Sequence, residues 1–143
     1  MPGKKYRKKI PKKVKTIKYK KEKDTRKGTI MKDWKDRIWN FKEDIEGENC
    51  APGVCRRVLA FTDELMCVEN HFEKGAVGSL HHHPHTQITY VVSGQFEFEI
   101  DGVKKIVNPG DTMLKKDSIE HGCVCLEAGI LLDIFSPMRE DFV

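Results

Sequence analysis

Residues 87–101 read QITYVVSGQFEFEID, and the patterning of this stretch decides the fold class. In its second half Phe96, Phe98 and Ile100 alternate with Glu97, Glu99 and Asp101. That period of two gives a strand one buried and one wet face. The first half, Gln87 to Val92, is rich in β-branched and aromatic residues and suits another strand, with Ser93-Gly94 as the turn between them. The same texture continues outward. VLAF at 58–61 and LMCVENHF at 65–72 precede it, and further strands fit at 103–107, 111–115, 121–127 and 130–135. Gly75, Gly78, Asp101-Gly102 and Asn108-Pro109-Gly110-Asp111 punctuate the runs. Evenly spaced short strands with Gly-rich turns predict an all-β sandwich or barrel, and the absence of intervening helical patterns disfavours a parallel α/β sheet.

Upstream the texture changes. In residues 29–46, TIMKDWKDRIWNFKEDIE, Trp34, Ile38 and Phe41 recur at spacings of four and three. They suit a short amphipathic helix, or an irregular segment that packs its aromatics on the body. Gly47 to Gly53 reads as a loop. Residues 1–27 hold 14 of the 26 Lys+Arg but only Glu22 and Asp24 among the acids, so the remainder carries 12 basic against 20 acidic residues. A basic arm on an acidic body is two modules. We read 1–29 as a basic extension, expected to be disordered because like charges repel and little in it can be buried, and 30–143 as one domain. With no nucleic-acid motif beside the charge, the arm reads first as a solvated extension or a strap that docks on the acidic body, and second as an arm for nucleic acid or another anionic surface.

A chain of 143 residues is long enough for one domain with a real core. No apolar run approaches the roughly 20 residues of a membrane span, so no membrane partner is expected. The basic N-terminus lacks the apolar stretch of a secretory signal. Five scattered cysteines, an odd number, read as reduced thiols in the cytoplasm.

Chemistry concentrates at 81–87, HHHPHTQ, where His81, His82, His83 and His85 fall within five positions. On a strand, His81 and His83 converge on one side while His82 faces away, and Gln87 has the same parity. Neutral imidazoles are common ligands for borderline divalent metals. The competing readings, a tag-like polar loop or one structural histidine, fit a mid-chain cluster inside a β pattern less well.

Gly75, five residues, His81-x-His83, three residues, Gln87, six residues and Gly94 resembles the first signature of the cupin superfamily. Gln87 stands where cupins usually carry a glutamate ligand. The second signature is matched at Gly110 and His121, while Lys116 and Ser118 replace its Pro-x-Gly. The resemblance implies a double-stranded β-helix, the cupin jelly-roll barrel, with a metal held by His81, His83, Gln87 and His121 in its mouth. It also implies pairing through edge strands, hence a homodimer. The stretch LLDIFSPMREDFV at 131–143, with HHHPHTQITYVVSG, is similar to the KdgF family of small cupins. That family opens the ring of 4,5-unsaturated monouronates from pectin or alginate breakdown to 5-keto-4-deoxyuronate, using a metal on three histidines and a glutamine. Its catalytic Asp-x-Phe-x3-Arg pattern falls on Asp133, Phe135 and Arg139. The resemblance implies one divalent ion, Zn, Ni, Fe, Mn or Co, and a small anionic uronate as ligand.

The residues themselves leave two arrangements open. Asp133 and Phe135, two apart on a strand, can both face the interior, where a buried carboxylate becomes a proton-transfer candidate. Arg139 then offers a carboxylate-binding fork and Phe135 an apolar wall. Alternatively Asp133 faces solvent and Arg139 pairs with Glu140 or Asp141. Arg56 and Arg57 offer either a second anion contact or surface charge. Cys123 and Cys125 share parity with His121, so at least one lines the barrel as a small hydrophobe rather than a ligand. His71 and His85 read as supporting or surface residues. Other function classes with the same motif are a metal-dependent oxygenase and a non-catalytic sugar or metabolite binder whose basic tail binds nucleic acid or a partner.

Overall fold

The computed structural model describes residues 34–143; the expectations for the basic extension over 1–29, and for a boundary at 30, lie outside the described residues. Among the described residues eight strands form one antiparallel, all-β double-stranded β-helix: β1 (Glu48–Ala51), β2 (Val54–Phe61), β3 (Met66–Phe72), β4 (Val77–His81), β5 (Thr86–Ile100), β6 (Val103–Val107), β7 (Thr112–Lys115) and β8 (His121–Ser136). The sheet order is β1-β2-β3-β8-β5-β6, with β4 also pairing β8 and β7 also pairing β5. Among the described residues no helix is long and apolar enough to cross a membrane.

Two long strands organise the barrel, and both were expected as pairs of short ones. Residues 87–92 and 95–101 are one strand, as are 121–127 and 130–135. Ser93-Gly94 is therefore not a turn but an irregularity in the ladder, where the β5–β8 register shifts between Val91 and Phe96. Its effect shows in the burial pattern. Gln87, Thr89 and Val91 are buried before it and Phe96 and Phe98 after it, so the inward parity moves from odd to even. The extra residue keeps both halves facing inward across the bend.

Gly94 makes the bend feasible. Its φ is +81°, and a Cβ there would stand 2.5 Å from the Glu127 carbonyl oxygen and 2.6 Å from the Gly129 Cα. A Cβ on Gly129 would collide with the Ser93 carbonyl, so each long strand presents a glycine to the other.

Beyond the bend, the later half of β8 pairs with β3 on one side and with β5 on the other. Its earlier half pairs with β4 and with the later half of β5. Two apolar clusters fill the barrel. One holds Val91, Phe96, Phe98, Val107, Cys123, Cys125 and Leu131. The other holds Val58, Phe61, Met66, Val68 and Phe135, with Trp34 packed on it. On the inward face of β8, Leu131 belongs to the first cluster and Phe135 to the second, so Asp133 lies between them.

Three local expectations need correction. Residues 34–46 form no amphipathic helix: Asp36 takes a positive φ of 62°, and only a short 3-10 turn forms at Lys42–Asp44. Trp34 reaches the core, whereas Ile38 is 87% and Trp39 73% exposed. The expected loop at 47–53 contains β1, which folds back on β2 around Gly53 (φ 71°). Gly78 is not in a turn but in β4, opposite Cys123.

Gly94→Ala is expected to destabilise the protein clearly more than Gly75→Ala. Gly75 also has a positive φ, 84°, but nothing lies within 4 Å of a Cβ there. Left-handed strain costs each substitution about 1–2 kcal/mol, and overlap at Gly94 adds about 1–3 kcal/mol. Denaturant unfolding of the two variants checks the difference; equal losses would contradict the close packing at the bend.

Candidate metal centre and active site

Strand β4 ends at His81, directly opposite His121 at the start of β8. His83 lies in the connection before β5, not on the strand as its spacing suggested, and the connection turns it inward while His82 stays exposed. The ring centroids are 4.3 Å apart for His81 and His121, 5.6 Å for His81 and His83 and 5.0 Å for His83 and His121. One ring nitrogen from each lies within 4.8 Å of the others.

The imidazoles are arranged as ligands would be. Nδ1 of His81 lies 2.8 Å from the Ser79 carbonyl, and Nδ1 of His121 lies 2.9 Å from that of Ile119. A carbonyl only accepts, so Nδ1 carries the hydrogen in both rings and Nε2 keeps a free lone pair. Nε2 of His121 and Nδ1 of His83 are buried without a hydrogen-bond partner among the described residues. Burial lowers the His83 pKa and pushes that of His121 down to about 4, so His121 stays neutral at ordinary pH. Orphaned lone pairs on clustered, buried, neutral imidazoles fit a divalent ion. The Oε1 of Gln87 accepts a hydrogen bond from Nε2 of His83 at 2.9 Å, which leaves the lone pair of that ring on Nδ1.

The turn that delivers His121 forms without the Pro-x-Gly of the cupin signature. Asp117 and Ser118 both take φ of +57°, and the Ile119 amide donates to the Lys116 carbonyl at 3.1 Å. Ser118 thus adopts the left-handed backbone that glycine would supply.

Beside the histidines, Asp133 is buried at 6% exposure, so its solvent-facing alternative does not hold. Its carboxylate accepts hydrogen bonds from Nδ2 of Asn70 at 2.7 Å, from Nε2 of Gln87 at 2.8 Å and from the Thr89 hydroxyl. Gln87 Nε2 also donates to Thr89 Oγ1 at 3.3 Å, and Lys115, 1% exposed, donates its Nζ hydrogen to the same oxygen. Burial lowers the Lys115 pKa, while Asp133 opposes the shift. These groups line a cavity of about 390 Å³ that also meets His81, His121, Phe135, Arg56 and Arg139.

Arg139 combines both arrangements that the sequence left open. It lines the cavity, yet its Nε and Nη2 donate to Asp141 at 2.9 and 2.7 Å, which holds the Asp141 pKa down. Its guanidinium stands 4.3 Å from the Phe142 ring centroid, and Arg56 stacks on Phe142 at 3.7 Å. Arg56 also lines the cavity, whereas Arg57 holds the Lys42 and Ile45 carbonyls on the outside. Burial pushes the Cys123 thiol up to about 12, and both Cys123 and Cys125 pack in the apolar core as small hydrophobes. His71 pairs with Glu69 on the barrel's outer surface, and His85 lies beside His83.

The cupin domain family matches residues 68–135. The pectin degradation protein KdgF of Dickeya dadantii (strain 3937) is 44% identical over 109 residues, which cover 75% of this chain and 99% of that protein. The chain belongs to the KdgF family of cupins. The crystal structure of an RmlC-like cupin from Shewanella frigidimarina superposes with a TM-score of 0.74 at 44% identity, covering 77% of this chain and 99% of that one. The structure of KdgF from a Halomonas species gives 0.70 at 38% identity, covering 73% and 97%.

For this KdgF relative, the side-chain network gives a physical reason why position 87 is glutamine. Asp133 can only accept, so the Gln87 amide must turn its NH2 toward it and its oxygen toward His83. A glutamate would set two carboxylates against each other. Asn70, Thr89 and Lys115 escaped the sequence reading. Thr89 shares the inward parity of Gln87, and that parity was the one available signal. Lys115, in a run of charges, looks like a solvated surface residue.

Gln87→Glu is expected to destabilise the metal-free protein by about 1–3 kcal/mol, the usual penalty for an unpaired buried polar group. Adding Asp133→Asn should recover part of the loss by restoring a donor to the pair. Denaturant unfolding of both variants checks this; a single variant as stable as the parent would remove the orienting role of Asp133.

Proposed function

We propose that this protein opens the ring of 4,5-unsaturated monouronates derived from pectin or alginate, giving 5-keto-4-deoxyuronate. The observation that carries the reading is a buried carboxylate, Asp133, that lines one cavity with His81, His121 and the Arg139 guanidinium, His83 completing the histidine cluster. Membership of the KdgF family supports it, since the Dickeya relative is a pectin degradation protein. Five free thiols fit work in a cytoplasmic setting.

In this reading His81, His83, Gln87 and His121 hold one divalent ion. A shell of neutral ligands leaves that ion's charge intact, and bound there it supplies Lewis acidity to sugar oxygens. Asp133 takes the proton of the C1 hydroxyl as the ring bond opens. Thr89 and Asn70 keep the carboxylate aimed, and their hydrogen bonds fix its rotamer. Arg139 receives the substrate carboxylate on the donors that Asp141 leaves free. Phe135 walls the cavity with an apolar ring beside the flat unsaturated sugar.

The test is a ring-opening assay on lyase-generated unsaturated monouronate, followed by loss of ultraviolet absorbance. Asp133→Asn should slow the reaction by about 10² to 10⁴, the usual worth of a general acid–base. Arg139→Ala should mainly raise KM, and chelation should remove the acceleration. A folded, metal-loaded protein that leaves the spontaneous rate unchanged would overturn the proposal.

We also propose a homodimer through the outer sheet face. Ile88, Tyr90, Val92 and Leu114 are exposed there, with Ile88 in register between Leu114 and Ile134. Sedimentation equilibrium should find two copies for the unaltered protein and one for the Ile88→Glu/Leu114→Glu double variant. A monomeric parent would refute it.

A further inference from the structure

Lys115 is a charged side chain in an unexpected place. It ends β7, paired in register with Gln87, so the two side chains share the inward face. It is buried, yet no carboxylate among the described residues forms an ion pair with it. Its one described hydrogen bond runs to Thr89 Oγ1, and its Nζ stands 5.2 Å from the centre of the Phe98 ring. An ammonium carries three N–H donors. Burying one with a single partner is costly unless something else completes its shell. The side chain lines the same cavity as His121, Gln87, Thr89 and Asp133. Its remaining donors are therefore available to whatever fills that space. Arg139, by contrast, commits its Nε and Nη2 to Asp141 near the chain's end.

We infer that Lys115 is a catalytic residue whose N–H groups stabilise the ring oxygen as it gains negative charge during opening. The inference rests on the uronate reading. In the step, the C1 hydroxyl proton passes to the Asp133 carboxylate and its O–H pair becomes the second bond of the C1 aldehyde. The C1–ring oxygen bond breaks, and its electron pair stays on that oxygen, giving an enolate whose carbon–carbon double bond is C4–C5. The proton held by Asp133 then passes to C4 as C5 becomes the ketone. The sum is an isomerisation that needs no co-reactant. Lys115 gives up no proton; it only donates hydrogen bonds to the developing oxyanion. Lys115 is itself buried, and a donor held in place there is more useful in the transition state than in the ground state.

The deciding experiment compares steady-state kinetics of metal-loaded parent and Lys115→Met, which removes the charge but keeps the volume. The expected result is a fall in kcat of about 10² to 10³, the typical worth of one oxyanion donor, with KM and bound metal within about threefold. Lys115→Ala provides a second arm, in which ethylammonium should restore kcat saturably by filling the space left. A purely structural lysine would not show that rescue. An unchanged kcat in Lys115→Met, a rise in KM alone, or no rescue of a folded Lys115→Ala overturns the role of Lys115 while ring opening by the parent stands. A parent that does not open the ring overturns the uronate reading itself.

Discussion

The interior of this barrel is organised around a carboxylate that can only accept hydrogen bonds. Asp133 lies on the inward face of β8 between Leu131 and Phe135, each part of an apolar cluster. A charge in that position is tolerable only if donors surround it. Two strands supply them: Asn70 comes from β3, and Gln87 and Thr89 come from β5. Two of these donors are then constrained in turn. Gln87 must point its oxygen at His83, and Thr89, having given its hydrogen to Asp133, can only accept from Lys115. One acceptor thus sets an amide, a hydroxyl and an ammonium in order.

The same constraint explains how the metal centre and the acid–base candidate come to be adjacent. Gln87 touches both, with its oxygen bonded to His83 and its nitrogen to Asp133. The histidines need only arrive from their own elements. His121 stands at the first position of β8, His81 at the last of β4, and His83 in the connection to β5. Each is steered by a bond outside the cluster, to Ile119 and Ser79 for His121 and His81, and to Gln87 for His83.

Much of this was legible in the sequence. Alternation at Phe96, Phe98 and Ile100 declared the β architecture, strand parity joined His81, His83 and Gln87, and the resemblance to the cupin signatures added His121. What misled was inversion and irregularity. In the first half of β5 the polar Gln87 and Thr89 face inward while Ile88, Tyr90 and Val92 face outward. Hydropathy would assign the faces the other way, so Thr89 looked unremarkable. A two-residue Ser93-Gly94 pair has turn chemistry, yet here it bends a continuing strand because β8 bends beside it at Gly129. The periodic aromatics at 34–41 suggested a helix, but Asp36 leaves helical backbone and only Trp34 finds a core to cover. Lys115 was hidden because a lysine beside another lysine carries no sign of burial.

The position of β8 in the chain has a consequence for biosynthesis. It follows the other seven described strands in chain order and is the one that pairs β3, β4 and β5 alike. A nascent polypeptide that has emerged only through β7 has no central ladder on which those strands can join, and it lacks both His121 and Asp133. The barrel and its chemistry therefore come into being together, once β8 is available to pair. A product truncated before β8 leaves unpaired the strand edges that β8 covers, which are templates for aggregation.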